Sequence, residues 1–233
     1  MLEFIDKKDS SEGFEAININ TIAIPFIKLT QDLSPQLKKN KPEYIEGLAV
    51  GDFFNSVTGE NYGKTFDFTV IKFEHIFTEW KPNRGGFVGY HDVDEAYKIA
   101  VSTKFNEMKT SEGNDLIETY MYYILISGKE KDGVLILSAS STAIKNAKKL
   151  NSMMNMQYFA NGDKALPYHQ VYTAKSSMVS DSKNEWWVID FSFKEFVNET
   201  LYLAAKEQRT LIKSKTIDYA QLENKTTQVS VPY

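Results

Sequence analysis

The sequence predicts a β-rich α+β fold, and three observations lead to this prediction. Aromatic residues make up 13% of the 233 residues, and large rings favour strands over helices. Alternating apolar runs recur with turn residues between them, whereas few stretches have helical spacing. Hydrophobic residues at 42% and charged residues at 25% are ordinary for a globular protein, so one packed domain is expected.

Alternation and turn residues predict the strands. Residues 44–68 are predicted to form a strand–turn–strand unit, in which Gly59 supplies the positive φ of a tight turn. The longest predicted strand covers 66–80, and its apolar parity changes near Ile71, which indicates a β-bulge. The remaining strands are predicted as a hairpin over 116–139 and as a final pair at 167–174 and 185–193, joined by a polar linker at 175–184.

Helical spacing and capping signals predict the helices. A helix is predicted over 142–154, with Ser140-Ser141-Thr142 as its N-cap. A second helix is predicted over 193–213, because Ser192 and Glu195 have the spacing of a capping box. Residues 92–104 carry a weaker helical pattern.

These elements fit a small bent β-barrel of OB type, which needs a bulged long strand and hairpins. Five or six strands would form the barrel, and the two stronger helices would elaborate it. This OB-like domain is expected to span 21–213, after a loosely ordered segment at 1–20 and before a polar tail at 214–233.

Composition narrows the classes of function. The net charge is −4 and the chain has no cysteine, so disulfides, thiol nucleophiles and zinc–thiolate sites are excluded. No apolar run has the length of a signal peptide or a membrane span, so no membrane partner is expected. Nucleotide-binding glycine motifs and serine-hydrolase motifs are missing, and the sequence therefore predicts neither an enzyme nor a cofactor.

A metal-dependent nuclease is the enzyme class that stays open. It would need the carboxylates of Asp92, Asp94 and Glu95 beside His91. No spaced histidine pair accompanies them, and a charged first helical turn explains the same residues.

Three clusters combine aromatic rings with cations, as single-stranded nucleic acid binding requires, because rings stack on bases and cations contact phosphates. The first cluster surrounds Gly85-Gly86, the second follows the strand end at Ser140, and the third includes Trp186-Trp187, of which one is expected to be exposed. The predicted nucleic-acid-binding residues are Lys72, Trp80, Lys81, Arg84, Phe87, Lys145, Lys148, Lys149, Tyr172, Lys175 and Trp187.

Several motifs across residues 22–213 resemble a group of tailed-phage proteins from the DNA-replication and recombination module. They are Ile24-Pro-Phe-Ile-Lys-Leu-Thr-Gln-Asp-Leu-Ser-Pro35, Tyr44-Ile-Glu-Gly, Gly51-Asp-Phe-Phe-Asn-Ser-Val-Thr-Gly-Glu60, Glu79-Trp-Lys-Pro, Gly85-Gly-Phe-Val-Gly89 and Ser140-Ser-Thr-x-x-Lys-x-Ala-Lys-Lys149. The resemblance implies an OB-like single-stranded DNA-binding protein. Many phage single-strand binders end in an acidic tail, whereas residues 226–233 carry no acid, so recruitment through a tail is not expected.

The sequence therefore predicts sequence-tolerant binding of single-stranded DNA in the cytoplasm of an infected bacterial cell. Phage or host replication proteins are the further partners that the resemblance implies, and a homo-oligomer stays open. The alternative is a phage structural or interaction component that uses its aromatic face as a subunit interface, to which Trp and Tyr are equally suited.

Overall fold

The computed structural model describes residues 25–104, 107–182 and 184–214. The predicted N-terminal segment at 1–20 lies outside these ranges, and so does the predicted tail apart from Ser214.

One mixed sheet and three α-helices make up the described part of the chain. The strands are β1 (Phe26–Leu29), β2 (Phe53–Asn55), β3 (Asn61–Gly63), β4 (Thr65–Trp80), β5 (Phe87–Asp92), β6 (Ala100–Lys104), β7 (Glu107–Thr110), β8 (Asp115–Ile126), β9 (Leu135–Ser140), β10 (Gln170–Ser180) and β11 (Glu185–Phe196). The helices are α1 (Val93–Ile99), α2 (Ile144–Asn155) and α3 (Glu199–Ser214).

The sheet curls into a half-barrel. Its strand order is β11-β10-β4-β8-β9-β1-β2-β3, with β5 beside β4 and the β6–β7 hairpin beside β8. In a flat sheet β1 and β11 would lie about 24 Å apart, at about 4.8 Å per strand. Instead, the Gln31 side chain after β1 hydrogen-bonds the backbone of Trp187 in β11, and the rings of Phe53 and Phe66 meet at 5.0 Å between centroids.

The two faces of the sheet bury separate cores. The inner face packs Phe66, Phe68 and Tyr122 against α2, whose buried side includes Ala147 and Leu150. The outer face packs a second apolar cluster against α3. That cluster includes Ile71, Met121, Tyr123, Leu125, Leu201 and Ala205.

Beyond the half-barrel, β4 and β8 continue as a ribbon that we call the arm, formed by Phe73–Trp80, β5, α1, β6, β7 and residues 115–121 of β8. A third small core, around Phe77, Ala96 and Leu116, holds the arm together.

The structure confirms the β-rich α+β class, the bulge and the main hairpin. The register of β4 against β8 shifts between Val70 and Lys72, where the parity change predicted a bulge. The strand number differs from the prediction, because eleven strands occur in the described residues. The predicted linker at 175–184 is mostly strand, since β10 continues to Ser180 and β11 begins at Glu185.

Two of the three helix predictions need correction. Residues 92–104 form the short helix α1 and then β6, which pairs with β7. The C-terminal helix begins at Glu199 instead of 193, because Phe191 and Phe193 alternate into the inner core as part of β11. The helix predicted over 142–154 is confirmed as α2, but neither Ser140 nor any other side chain caps it.

Candidate nucleic-acid interface

A cluster of three rings lies at the far end of the arm. Trp80 ends β4 and Phe87 begins β5, and their rings meet at 5.4 Å in an edge-to-face arrangement. Phe87 also contacts Tyr90, with ring centroids 4.8 Å apart. Lys81 follows Trp80 directly and is exposed. The structure therefore places Trp80, Lys81 and Phe87 at one end of the arm.

A small pocket opens beside these rings on the outer face of the sheet, and we call it the Trp80 pocket. Its volume is about 100 Å³. Its walls come from five strands and consist of Phe26, Thr78, Trp80, Tyr90, Ile117, Thr119, Met121, Ser138 and Ser140. The lining thus combines aromatic rings with apolar side chains and hydroxyl groups.

The outward side of α2 is the second part of the candidate interface. Ile144, Ala147, Leu150 and Met154 face the core, which leaves Lys145, Lys148 and Lys149 exposed together on the opposite side. None of these lysines forms a salt bridge within the described ranges, and no acidic residue occurs in α2. Asn146 contacts the Asp190 carboxylate at the flank of the helix.

Sequence reasoning missed the ring and the cation that follow α2. Tyr158 is 56% exposed and forms an isolated β-bridge with Lys164, whose ammonium group hydrogen-bonds Asn155 in the last turn of α2. Met156 beside them is 70% exposed. Helical spacing could not have found Tyr158 and Lys164, because α2 ends at Asn155 and both residues follow it. We call this surface, from Lys145 to Lys164, the α2 face.

Trp187 closes the half-barrel. Gln31 exchanges two hydrogen bonds of 2.8 and 2.9 Å with its backbone, and its ring lies against Gly51. The Lys64 ammonium group lies 4.4 Å from the ring centroid on a cation–π contact. Both Trp186 and Trp187 are half-buried, so neither is the freely exposed member of the pair.

Tyr172 was predicted to bind nucleic acid, and this prediction is wrong. Its ring is fully buried in the inner core, between Phe68 and Phe193. Burial also raises the pKa of its phenol. A ring without accessible surface cannot stack on a base, so Tyr172 is a core residue.

The remaining predicted cations do not gather at one place. Lys72 pairs with Glu74 and lies over the Tyr123 ring, with its ammonium group 5.3 Å from the centroid. Lys175 is exposed and lies opposite Thr65 in the β10–β4 register. Thr65 and Trp80 are the two ends of β4, up to about 50 Å apart, so Lys175 lies far from the Trp80 cluster. The side chain of Arg84 is outside the described part.

Asp92 and His91, which belong to the cluster considered for a metal-dependent nuclease, make structural contacts. Asp92 caps α1 by accepting a 2.8 Å hydrogen bond from the Glu95 backbone. His91 bonds the buried Glu79 carboxylate through Nε2 at 2.7 Å, and the Asn114 amide donates to the same carboxylate at 2.7 Å. Among the described residues, no group of three or more His, Asp and Glu side chains is placed to hold a metal ion.

Fold and surface together define a β-rich α+β half-barrel protein with a lysine-rich helix and an aromatic pocket. The chain belongs to the Pam3 phage gp34-like protein family, whose model matches residues 1–218. The resemblance to phage proteins is therefore confirmed at that level. Neither the curated proteins nor the solved structures gave a match.

None of the helices in the described ranges has the length and apolarity needed to cross a bilayer.

Proposed function

We propose that this protein binds single-stranded DNA through the α2 face, with little sequence preference from that face, as part of a phage replication or recombination module. The observation that carries the proposal is the charge of α2. It presents three exposed lysines with no acidic residue in the helix, although the whole chain has a net charge of −4. Such a local cationic strip is what a phosphate chain contacts.

Tyr158 supports the single-stranded form of the ligand. An exposed ring beside a lysine strip can stack on an unpaired base, which is worth roughly 1–3 kcal/mol per base. In a duplex the bases are already stacked on one another, so an exposed ring adds little. Lysine contacts phosphate as a point charge and does not read base edges in a bidentate manner, which fits weak specificity.

We further propose that the half-barrel corresponds to an elaborated OB-like barrel, as the resemblance implies. The support is the bulged β4, which bends around the inner core as a barrel strand must.

The test compares the salt dependence of oligo-dT binding in two variants of equal charge. Each phosphate contact contributes about −0.7 to the slope of log affinity against log salt. The double variant Lys148→Gln/Lys149→Gln should therefore make the slope shallower by about 1.4. The control, Lys38→Gln/Lys39→Gln, removes two exposed lysines from a loop outside α2 and should leave the slope near the wild-type value. A wild-type affinity that does not change with salt refutes the proposal.

A subunit interface is the second candidate, and one observation favours it. The arm exposes three apolar side chains, Val88, Tyr97 and Val101. Exposed apolar side chains are typical of a protein contact where they form a contiguous patch. A stable oligomer at high salt, combined with no affinity for oligo-dT, would favour this candidate over DNA binding.

A further inference from the structure

We propose that Phe196, at the end of β11, is a second stacking site for single-stranded DNA, so that a bound strand continues from the α2 face past the end of the half-barrel. This inference rests on the proposed DNA binding, because the α2 face would supply the phosphate contacts. It assigns a role to a ring outside the α2 face, and it predicts that this ring contributes affinity without changing the dependence on salt.

A β-bulge places Phe196 on the inner face of the sheet. The register of β11 against β10 shifts between Phe193 and Glu195, which leaves Lys194 as the extra residue. Because of this extra residue, Phe196 points to the same face as Phe193 although it follows three positions later, and the two rings meet at 5.6 Å between centroids. Phe193 packs against the inner core, whereas Phe196 lies beyond it and is 38% exposed.

Phe196 also lies close to the last turn of α2. It is paired with Gln170 in the β10–β11 register, and Cα atoms of paired residues are about 4.5–5.5 Å apart. The buried Gln170 amide donates hydrogen bonds to the carbonyl of Met154 in α2, at 3.1 Å, and to that of Ala165, at 3.0 Å. Gln170 therefore holds the end of α2 and the turn that follows it beside the strand position of Phe196.

A ring contact joins Phe196 to the turn that carries Tyr158 and Lys164. Phe159 follows Tyr158 directly, and its ring centroid lies 4.9 Å from that of Phe196, at an angle of 37° between the planes. Phe159 and Phe193 thus support the Phe196 ring from within the protein. The exposed part of the ring borders the α2 face, where a base that follows the one on Tyr158 can reach it.

The charge around Phe196 favours base stacking over phosphate contact. Glu195 precedes it, and the Glu195 carboxylate lies 3.7 Å from the Lys194 ammonium group, which also pairs with Asp67. Glu199 adds a negative charge in the first turn of α3. These charges do not extend the cationic strip of α2, so the ring is the group through which this site can bind the strand.

The test compares Phe196→Leu with Phe196→Tyr in binding to oligo-dT. Leucine keeps an apolar side chain against Phe159 but offers no ring, so the affinity should fall about tenfold, which corresponds to about 1.4 kcal/mol and lies within the range for one stacked base. Tyrosine keeps the ring and should keep the affinity near the wild-type value. The slope of log affinity against log salt should stay unchanged in both variants, because no phosphate contact is lost.

An abasic strand of the same length separates stacking from other effects of the substitution. It keeps the phosphates but has no bases, so the wild type and Phe196→Leu should bind it equally. Tyr97→Ala is the control for an exposed ring elsewhere, because Tyr97 is 53% exposed on the arm, and this variant should bind oligo-dT as the wild type does. If Phe196→Leu does not fold, Phe196→Met gives the same comparison with a more adaptable side chain.

The outcomes separate this inference from the proposed function. A loss of affinity that is confined to oligo-dT supports the stacking site. An unchanged affinity of Phe196→Leu for oligo-dT overturns it, while salt-dependent binding by both proteins would still support the α2 face. An equal loss on oligo-dT and on the abasic strand also overturns it, because the ring would then act through the fold. Failure of the wild type to bind any oligonucleotide at low salt overturns both proposals.

Discussion

At the scale of single residues, Gly51 shows how closely the half-barrel is packed where it closes on Trp187. Its φ is +83°, and a Cβ added there would lie 2.6 Å from the ring of Trp187. We expect Gly51→Ala to lower the free energy of unfolding by about 2–4 kcal/mol, because backbone strain and a steric clash add together. Urea unfolding measures the change.

Gly47 provides the matched control for that substitution. Its φ is +77°, but nothing lies within 4 Å of its Cβ position. Gly47→Ala should therefore cost only the strain of the left-handed backbone, about 1 kcal/mol. Equal losses of unfolding free energy in the two variants would show that the Trp187 ring moves aside freely, and would contradict tight packing of this ring against Gly51.

Glu79 is expected to stabilise the arm. Glu79→Ala would leave the imidazole of His91 and the amide of Asn114 without their shared buried partner, at a cost of about 1–3 kcal/mol for each group. Glu118→Ala removes a similar partner from His75, but that pair is partly exposed and should contribute less than about 1 kcal/mol. Thermal unfolding of both variants tests the contrast, and similar melting temperatures would contradict it.

Residue identity predicted which side chains could contact DNA but not which of them were accessible. Tyr172 and Tyr158 are the same amino acid, and each lies near a lysine in the sequence. One is a core ring and the other is 56% exposed. Accessibility depends on the sheets and helices that pack on a residue, and most of these are distant in the sequence.

At the scale of elements, the residue that caps the start of α3 is not the one that the capping-box motif indicated. The Asn198 side chain accepts a 2.9 Å hydrogen bond from the Leu201 backbone, whereas Ser192 lies within β11. Asn198→Ala should therefore cost about 1 kcal/mol of stability, and Ser192→Ala should cost almost nothing. Chemical denaturation checks both variants, and the reverse order of effects would restore the predicted helix start.

The helix α2 was predictable because its apolar spacing and its surroundings agree. Ile144, Ala147, Leu150 and Met154 form the buried side that a 3.6-residue period requires. The region after Ser192 gives both a strand pattern and a capping pattern. The strand prevails there because Phe193 joins the inner core and because β10 supplies hydrogen-bond partners along its length.

At the scale of the whole molecule, Asp67 links three strands of the half-barrel. It lies in β4 and receives hydrogen bonds from Thr173 in β10, at 2.6 Å, and from Lys194 in β11, at 2.7 Å. Partial burial acts to raise the pKa of this carboxyl, but the hydrogen bonds and the Lys194 charge outweigh it, and the pKa lies below its ordinary value.

This lowered pKa predicts how stability depends on pH. A carboxyl with a lowered pKa in the folded state stabilises the fold above its unfolded pKa, and this contribution disappears as the pH falls through the folded pKa. The stability difference between the wild type and Asp67→Asn should therefore be largest above about pH 4 and should shrink below it. Urea unfolding at a series of pH values measures the difference, and a constant gap down to about pH 2 would refute this role.

The sequence by itself determined the fold class, the hairpin of β8 and β9, the bulge and the lysine-rich side of α2, because all of these depend on local spacing and residue type. Only the tertiary structure decided that Trp187 closes the half-barrel on Gly51, that Tyr172 is buried, and that hydroxyl groups from β8 and β9 meet Trp80 in one pocket. These features depend on strand order and sheet curvature, which bring together residues that are far apart in the chain. No short stretch of sequence encodes such contacts, because each of them is the sum of many pairings along the curled sheet.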